Sequence, residues 1–284
     1  MIKIDISKEL HGTTKEMKLE VNLEIKEHDF VAISGQSGSG KTTLLRILAG
    51  LESAKGEIRV ADESWLDAEN SLAPQKREIG FVFQDYALFP NMSVEQNLLF
   101  VKKDIKLAEH LLELTDLSEL KNRLPNTLSG GQKQRVSLCR AFMSKPKLLL
   151  MDEPLSALDP EMRSKLQVDI LKLHKEFGTT TIMVSHDPSE IYKLASRMIV
   201  LQNGKVIDDA APKELLLKTQ GSQKFSLRGE LLEIIKADVI HIGVIAIGQQ
   251  IVEIVLDELE ASTFKVGEYV QVSTKAFAPT ISKI

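Results

Sequence analysis

The sequence predicts an α/β domain with a largely parallel sheet, followed by a small all-β domain. In the first part of the chain, apolar strand patterns at 148–151, 180–185 and 198–201 alternate with helical patterns, which is typical of a parallel sheet covered on both faces by helices. A polar segment at 219–224 then separates this part from four runs of strand-like sequence punctuated by glycines. Those runs lie at 227–236, 239–246, 249–256 and 268–274.

Composition and charge limit the classes of function. The 284 residues are 43% hydrophobic and 27% charged, as in an ordinary globular protein, and the net charge of -4 gives no basic field toward nucleic acid. A single cysteine excludes an intrachain disulfide and favours a reducing compartment. The N-terminus lacks a secretory signal pattern, and the best apolar run, 239–248, is about half of what a membrane span needs. We therefore expect any membrane association to come through a partner.

The N-terminal segment predicts antiparallel strands at a sheet edge. Hydrophobic residues alternate from Ile2 to Ile6 and again from Leu19 to Ile25. A short buried strand, Phe30–Ser34, follows, and a helix is expected from Lys41 to Ala49, closed by a glycine.

A glycine-rich loop lies between that strand and that helix. It fits the pattern GxxxxGK[ST] with the residues Gly35, Gln36, Ser37, Gly38, Ser39, Gly40, Lys41 and Thr42. Glycines let backbone N–H groups turn toward a phosphate, and the positive end of the helix dipole attracts the same anion. In such loops the lysine reaches the β- and γ-phosphates and the last hydroxyl ligates Mg²⁺. The loop predicts binding of a nucleoside triphosphate with Mg²⁺.

Two acids end the apolar strand at 148–151. Ligands of an α/β sheet bind at the C-terminal ends of its strands, so Asp152 is placed to hold the Mg²⁺ shell. Glu153 is one residue further and points elsewhere, where it can polarise a water for in-line attack on a γ-phosphate. Taken alone this pattern is weak, and beside the phosphate loop it becomes strong.

The segment from about 85 to 143 is mainly helical in pattern. Ser93 and Gln96 have capping-box spacing. The string LSGGQKQR at 128–135 places Ser129 as the cap of a helix running to about Phe142, with two glycines whose N–H groups are open to an anion. The chain thus carries a second phosphate-binding helix start.

The string LSGGQ, lying between a phosphate loop and LLLMDEP, resembles the ATP-binding cassette (ABC) family. The resemblance covers about residues 1–218 and implies a P-loop NTPase cassette with an antiparallel β edge and a helical subdomain at about 85–143. A linker at 219–224 and a second domain at 225–284 complete the predicted organisation. In this family two cassettes pair head to tail, and each ATP lies between the phosphate loop of one and the LSGGQ signature of the other, which implies a homodimer.

The family motifs assign further residues. The resemblance implies that Glu153, His186 and Gln84 are catalytic, and that Thr42, Gln84 and Asp152 hold Mg²⁺. As a lone histidine after a strand, His186 would more often be a structural residue, and Gln84 alone would mean nothing. Nucleotide contacts are implied for Gly35, Gln36, Ser37, Gly38, Ser39, Gly40, Lys41, Thr42, Thr43, Ser129, Gly130, Gly131, Gln132 and, in the D-loop Ser156–Asp159, for Asp159.

One feature departs from many family members, which stack an early aromatic residue on adenine. The stretch from Met1 to Asp29 contains no Phe, Tyr or Trp. His11 is nearest to the expected place, although a plain turn residue is the simpler interpretation of it.

The tail at 225–284 resembles the OB/TOBE-like module that follows importer cassettes. It has the run Val266–Val272 and a possible oxyanion-binding loop at Ser273–Lys275, for which a purely structural turn is an equal alternative. This tail and the missing aromatic resemble molybdate importer ATPases, and that resemblance favours molybdate or tungstate as cargo. Importers of sulfate, polyamine, sugar and ferric iron share the same layout.

Partners follow from the same resemblance. The segment Tyr86–Pro90 is expected to help line a groove for a membrane permease subunit, with Leu88 or Phe89 exposed to it, although core packing is the alternative. The protein is then peripheral at the cytoplasmic face of the inner membrane, with no nucleic acid partner. A soluble cassette ATPase in DNA repair or translation is the alternative class, but repair types carry a long coiled-coil insertion and ribosome-acting types carry two cassettes. A degenerate cassette that does not hydrolyse ATP is disfavoured by Lys41, Asp152, Glu153 and His186.

Overall fold

The computed structural model describes residues 1–11, 16–217, 223–237, 240–248 and 250–275, and the chain divides into two compact units, Met1–Leu216 and Leu217–Ile284. Side chains at 11, 16, 223–226, 228, 237 and 273–275 lie outside the described residues. Among the helices that are described, none is long and apolar enough to cross a membrane.

The first unit is built on one ten-stranded sheet. Its strands are β1 Ile2–His11, β2 Glu16–Ile25, β3 Phe30–Ser34, β4 Lys55–Val60, β5 Glu63–Leu66, β6 Ile79–Val82, β7 Leu148–Asp152, β8 Thr180–Val184, β9 Arg197–Gln202 and β10 Lys205–Ala210. They are ordered β5-β4-β1-β2-β10-β9-β3-β8-β7-β6 across the sheet. The strands predicted at 148–151, 180–185 and 198–201 lie within one residue of their expected ends.

The antiparallel part extends further than expected. β1 pairs with β2 in register from Ile2 opposite Ile25 to His11 opposite Glu16, as the alternation predicts. However, β1 also pairs with β4, and β4 with β5, so β1 and β2 are interior strands and the prediction of a sheet edge there was wrong. The edge hairpin escaped prediction because Gly56 interrupts its apolar pattern; a Cβ on that glycine would lie 2.1 Å from the Asp5 carbonyl oxygen.

Five strands of the sheet are parallel. β9, β3, β8, β7 and β6 lie side by side, with parallel pairing at each step. Their sequences are near-continuous apolar runs, and β8 is buried at every residue, because helices cover both faces of this part of the sheet. One apolar cluster packs α1 Lys41–Leu48 and the antiparallel strands on one side, and a second packs the helical segment on the other.

The helical segment contains α2 Val94–Leu99, α3 Ile105–Leu114 and α4 Gly130–Phe142, with 3₁₀ turns at Ser118–Leu120 and Pro125–Thr127. The capping box predicted at Ser93 is present, with Ser93 Oγ accepting from Gln96 N at 3.2 Å and Ser93 N donating to Gln96 Oε1 at 2.8 Å. Three later helices, α5 Pro160–Phe177, α6 Pro188–Leu194 and α7 Pro212–Leu216, complete the first unit.

The second unit contains β11 Gln223–Ala237, β12 Ile240–Ile247, β13 Gln250–Leu256, a short helix α8 Glu258–Thr263 and β14 Tyr269–Lys275. The four strands are antiparallel in the order β13-β12-β11-β14. The predicted loop Ser273–Lys275 is instead part of β14, where its backbone pairs with β11. Of the predicted linker, 219–222 lie outside the described residues and Gln223 and Lys224 belong to β11.

Candidate functional site

The functional motifs lie at the C-terminal ends of the parallel strands. β3, β6, β7 and β8 run in the same direction, so the segments that follow them meet at their C-terminal ends. The phosphate loop follows β3, Gln84 follows β6, Glu153 follows β7 and His186 follows β8. Residues far apart in sequence are therefore brought together by the sheet topology.

The phosphate loop has the backbone that its glycines predict. Gly35, Gly38 and Gly40 have φ of 144°, 78° and 99°, values that L side chains rarely adopt. A Cβ on Gly35 would lie 2.0 Å from the Leu201 carbonyl oxygen, so the loop is pressed against β9. Ser39 is buried, and its Oγ has no hydrogen-bond partner among the described residues. A buried hydroxyl inside a curved loop is the kind of group that a bound anion satisfies.

Lys41 lies inside this loop. Its ammonium donates to the carbonyl oxygens of Gly35 and Gln36, both at 2.8 Å. Burial lowers the pKa of Lys41, while the charges of Glu153 and Asp152 act in the opposite direction. The cation is thus held at the loop and oriented by weak neutral acceptors, which a phosphate oxygen can replace with a stronger, charged one.

Thr42 and Asp152 bring a hydroxyl and a carboxylate together. Thr42 Oγ1 donates to Asp152 Oδ1 at 3.1 Å. Burial raises the pKa of Asp152, and the hydrogen bond from Thr42 counteracts that rise. No group of three His, Cys, Asp or Glu side chains in the described part of the chain could hold a metal ion by itself. One hydroxyl and one carboxylate fit Mg²⁺ that is bound largely through phosphate oxygens and water, since this ion seldom uses an all-protein cage.

Glu153 and His186 face each other across the strand ends. His186 Nδ1 lies 3.5 Å from Glu153 Oε2. Glu153 has a φ of 44°, rare for a residue with a side chain, and its backbone N–H donates to the Val184 carbonyl at 3.1 Å. Ser156 Oγ holds the Glu153 carbonyl at 3.0 Å. The two neighbouring carboxylates therefore have different partners, since Asp152 Oδ1 accepts from Thr42 and Glu153 Oε2 lies beside His186.

Gln84 lies on an exposed turn directly after β6. The next segment is strained: Tyr86 and Ala87 have φ of 63° and 47°. Arg140 of α4 stabilises this segment by donating to the Ala87 carbonyl at 2.7 Å and to the Tyr86 carbonyl at 3.3 Å. The Gln84 loop is therefore tied to the helix that begins at the signature.

The signature forms the capped helix start that was predicted. Ser129 Oγ accepts from Gln132 N at 3.3 Å, and Ser129 N donates to Gln132 Oε1 at 2.9 Å. A Cβ on Gly130 would lie 3.2 Å from the Tyr86 hydroxyl, and one on Gly131 would lie 2.8 Å from Met162 Sδ. The glycines thus serve close packing inside the chain, and Gly131 is buried there.

The signature and the phosphate loop share no polar contact within the described part of one chain. Among the described residues, no hydrogen bond or ion pair joins Ser129–Gln132 to Gly35–Thr43. Asp159, expected to contact nucleotide, is exposed and caps α5, accepting from Met162 N at 2.9 Å. The structure therefore groups the phosphate loop, Asp152, Glu153 and His186. It places the signature beside the D-loop and the first turn of α5, since a Cβ on Gly130 would lie 3.8 Å from Leu158 Cδ2 and one on Gly131 would lie 2.8 Å from Met162 Sδ. For His11, the backbone ends β1 and the side chain lies outside the described residues.

Several residues that hold the site together were not found from the sequence. Arg140, Arg163 and Glu190 all bind loops that carry motif residues. Arginines on amphipathic helices are too common to single out. Glu190 had a usable signal, since Asp187 and Glu190 have capping-box spacing. Asp187 does cap α6, accepting from Glu190 N at 3.2 Å, but the Glu190 carboxylate turns inward instead of completing the box.

Comparisons with known proteins agree with this geometry. Residues 19–156 match the family model described as ABC transporter. A probable sulfate/thiosulfate import ATP-binding protein of Chlorella vulgaris is 45% identical over 208 residues, covering 69% of this chain and 85% of that protein. A spermidine/putrescine import ATP-binding protein of Bacillus thuringiensis (strain Al Hakam) is 44% identical over 207 residues, 70% of this chain. The chain spans only 62% of the length of that second relative.

Solved structures extend the comparison. The ATP-binding cassette MJ0796, in a dimeric post-hydrolysis state bound to ADP and Pi, is 33% identical with a TM-score of 0.64, and the match covers 75% of this chain and 99% of that one. The protein cbiO1 from Clostridium perfringens, part of an ABC transporter complex, is 28% identical with a TM-score of 0.66, covering 76% of this chain and 90% of that one.

Proposed function

This chain belongs to the ATP-binding proteins of the ABC transporter family and is an ATPase that uses ATP with Mg²⁺, and from that premise we propose that it drives an importer. The observation that carries the proposal is the meeting of Lys41, Thr42, Asp152, Glu153 and His186 at one sheet edge. The importer assignment is supported by the relatives, each of which is named as an import ATP-binding protein.

We propose that the loop N–H groups and Lys41 bind the β- and γ-phosphates. Lys41 is already directed into the loop by its two carbonyl acceptors, so little side-chain freedom is lost on binding. Thr42, Asp152 and Gln84 are the proposed Mg²⁺ ligands; the ion supplies charge neutralisation to the phosphate oxygens. Phosphoryl transfer depends mainly on positioning and charge stabilisation, and these residues provide both.

The second carboxylate is proposed to act on water. Glu153 lies outside the contact between Thr42 and Asp152, so it is free to accept a proton from a water that attacks the γ-phosphate. His186, 3.5 Å from Glu153, is proposed to donate to a γ-phosphate oxygen and to keep the carboxylate oriented. The 66% exposure of the His186 side chain makes this contact accessible to a bound nucleotide.

Each complete site is proposed to need two chains. Among the described residues no hydrogen bond or ion pair joins the signature helix start to the phosphate loop of the same chain. We therefore propose that Ser129, Gly130 and Gly131 contact nucleotide on a second copy, with Asp159 at the same interface. The relative MJ0796 is a dimer bound to ADP and Pi, which supports the proposal by similarity. In this proposal bound ATP stabilises the dimer, and hydrolysis allows the two copies to separate.

The permease contact is proposed on the helical segment. Phe89 is partly buried, with its ring centroid 4.6 Å from that of Phe100 and the Arg140 guanidinium 5.7 Å from the Phe89 ring. Phe100 is 61% exposed, so the Phe89–Phe100 pair forms a partly exposed apolar contact on the loop that follows Gln84 and on the end of α2. Exposed apolar clusters of this kind mark contact surfaces. A permease bound there would hold the protein at the cytoplasmic face of the inner membrane.

For cargo we propose a tetrahedral oxyanion. The sulfate/thiosulfate relative supports this class, while the polyamine relative of nearly equal identity makes polyamines the alternative. Molybdate or tungstate within that class rests on the resemblance of the tail to a TOBE-like module and on the absence of an early aromatic. We further propose that the second unit itself binds the oxyanion.

Calorimetry on the full chain tests the cargo proposal. Molybdate, tungstate and sulfate are titrated separately, with chloride as the control anion. We expect heat of binding from at least one tetrahedral oxyanion, with and without ATP, because the proposed site lies outside the cassette. If heat is seen only without ATP, the anion competes with ATP for the phosphate loop and the second unit does not bind it.

The proposed chemistry is tested by Glu153→Gln. The amide keeps the size of the side chain but cannot accept a proton, so we expect turnover to fall roughly 100-fold or more while ATP binding persists. ATPase activity and binding of a fluorescent ATP analogue are measured on the same preparation. Hydrolysis at near wild-type rate would show that Glu153 is not the base, and loss of nucleotide binding would show that it holds substrate instead.

A further inference from the structure

A side-chain network joins the D-loop, Ser156–Asp159, to the segment that carries His186. At its centre is Arg163, in the first turn of α5. Its Nη2 donates to the Leu158 carbonyl at 3.3 Å, and its Nη1 donates to Asp187 Oδ2 at 3.0 Å. Its Nε lies 3.5 Å from Glu190 Oε1, an ion-pair distance. One guanidinium thus holds three groups on two loops and a helix.

The same network fixes both neighbours of His186. Ser185 is buried, and its Oγ donates to Glu190 Oε2 at 2.7 Å while accepting from Asp187 N at 3.1 Å. Asp187 also caps α6 through Ser189 N at 2.8 Å. The His186 side chain itself is 66% exposed and has Glu153 as its neighbouring charge. Its position therefore depends on how Ser185 and Asp187 hold the backbone.

Glu190 explains why an arginine is required. This carboxylate is only 4% exposed, and burial raises its pKa, whereas Ser185 and Arg163 favour its charged form. A buried carboxylate is tolerated only when it is paired and hydrogen-bonded. The planar guanidinium can serve the carbonyl and both carboxylates at once, which the single point charge of a lysine cannot.

We propose that Arg163 is a positioning residue that couples the D-loop to His186. This inference rests on the proposed roles of His186 at the γ-phosphate and of the D-loop at the interface between two copies. Pairing of the two copies would fix the conformation of the D-loop. Because Arg163 binds both the Leu158 carbonyl and Asp187, that conformation would determine the position of Asp187 and hence of His186. Hydrolysis would then be sensitive to Arg163, while nucleotide binding at the phosphate loop would not.

The test uses the full chain and steady-state ATPase kinetics. Arg163→Gln is expected to lower kcat about 10-fold or more with the KM for ATP within about twofold, because a small displacement of a group near the reacting atoms lowers the rate strongly. Arg163→Lys is expected to recover only part of kcat. Lys172→Gln, which removes an exposed positive charge from the same helix, is the matched control and is expected to behave as wild type.

A second pair of variants separates positioning from folding. Arg163→Gln leaves Glu190 buried without its cation and is expected to lower Tm. In the double variant with Glu190→Gln the buried charge is gone, so Tm should recover while kcat stays low relative to Glu190→Gln alone. If the double variant matches Glu190→Gln within about twofold in kcat, Arg163 only neutralises a buried charge and the proposal is wrong. A rise in KM that matches the fall in kcat would also overturn it, since the defect would then lie in binding.

His186→Ala is measured in parallel. Loss of hydrolysis in His186→Ala with normal hydrolysis in Arg163→Gln would reject the coupling and leave the proposed function standing. Normal hydrolysis in His186→Ala would reject the proposed role of His186 itself.

Discussion

Two glycines of the phosphate loop, Gly35 and Gly38, are required for different structural reasons. Gly35 has a φ of 144°, and a Cβ there would lie 2.0 Å from the Leu201 carbonyl oxygen. Gly38 has a φ of 78°, but no heavy atom lies within 4 Å of where its Cβ would be. The first glycine is required by backbone packing, and the second only by its own dihedral angle.

This difference predicts two stabilities for the same substitution. Gly38→Ala should cost about 1–2 kcal/mol of unfolding free energy, the strain of a left-handed residue. Gly35→Ala should cost about 3 kcal/mol or more, because loop and β9 must move apart as well. Urea denaturation of each variant without nucleotide measures both, and Gly38→Ala serves as the matched control. Equal costs would contradict the packing role of Gly35.

At this scale the residues carrying chemistry were predictable and the residues holding them were not. Lys41 and Glu153 belong to sequence motifs whose residue types follow from their chemistry, since phosphate binding needs a cation and activation of water needs a carboxylate. Arg77 has no such motif, yet its buried guanidinium donates to the Ile47 and Leu48 carbonyls at 2.8 and 2.7 Å and lies 5.6 Å from the Trp65 ring. It thereby satisfies the C-terminal carbonyls of the phosphate-loop helix, a contact between sequence-distant segments that a local pattern cannot contain.

At the scale of elements, hydrophobic periodicity predicted the strands and helices with a regular pattern and missed the strands whose pattern is interrupted. β3, β7 and β8 are short, mainly apolar strands that are almost entirely buried, so their positions followed from the sequence. Helix α4 followed from its cap at Ser129. In the hairpin of β4 and β5, three exposed residues that include Gly56 begin β4, so neither alternation nor an apolar run marked it.

Elements also explain why the helical segment can report on the site. Arg140 lies near the end of α4 and binds the carbonyls of Tyr86 and Ala87, while the start of α4 packs Gly130 against the Tyr86 hydroxyl. The loop after Gln84 is therefore held at both ends of one helix. Because two consecutive residues in that loop have positive φ, the contacts with Arg140 offset a conformation that would otherwise be unfavourable.

At the scale of the molecule, the cassette has two helix starts that were predicted to bind anions, and these have different surroundings. The start of α1 carries Lys41, which donates to the loop carbonyls, whereas the start of α4 carries a capping box and, among the described residues, has no hydrogen bond or ion pair to the phosphate loop. Two such chains arranged head to tail would bring each α4 start to the other chain's loop. An isologous pair of this kind forms two identical sites by symmetry.

Ser129 offers a test of that arrangement in which only charge changes. Asp and Asn both cap helices well, so Ser129→Asp and Ser129→Asn should each retain α4. In the Glu153→Gln background, which is expected to retain ATP, the Asn variant should still form a dimer on adding ATP and Mg²⁺. The Asp variant should stay monomeric, because its carboxylate would face the partner's triphosphate. Both should bind ATP as monomers with similar affinity, since the phosphate loop is untouched.

Light scattering measures dimer formation by the two Ser129 variants, and nucleotide titration measures their affinity for ATP. If Ser129→Asp dimerises as readily as Ser129→Asn, the signature does not meet the partner's nucleotide. If it instead loses ATP binding as a monomer, the site closes within one chain.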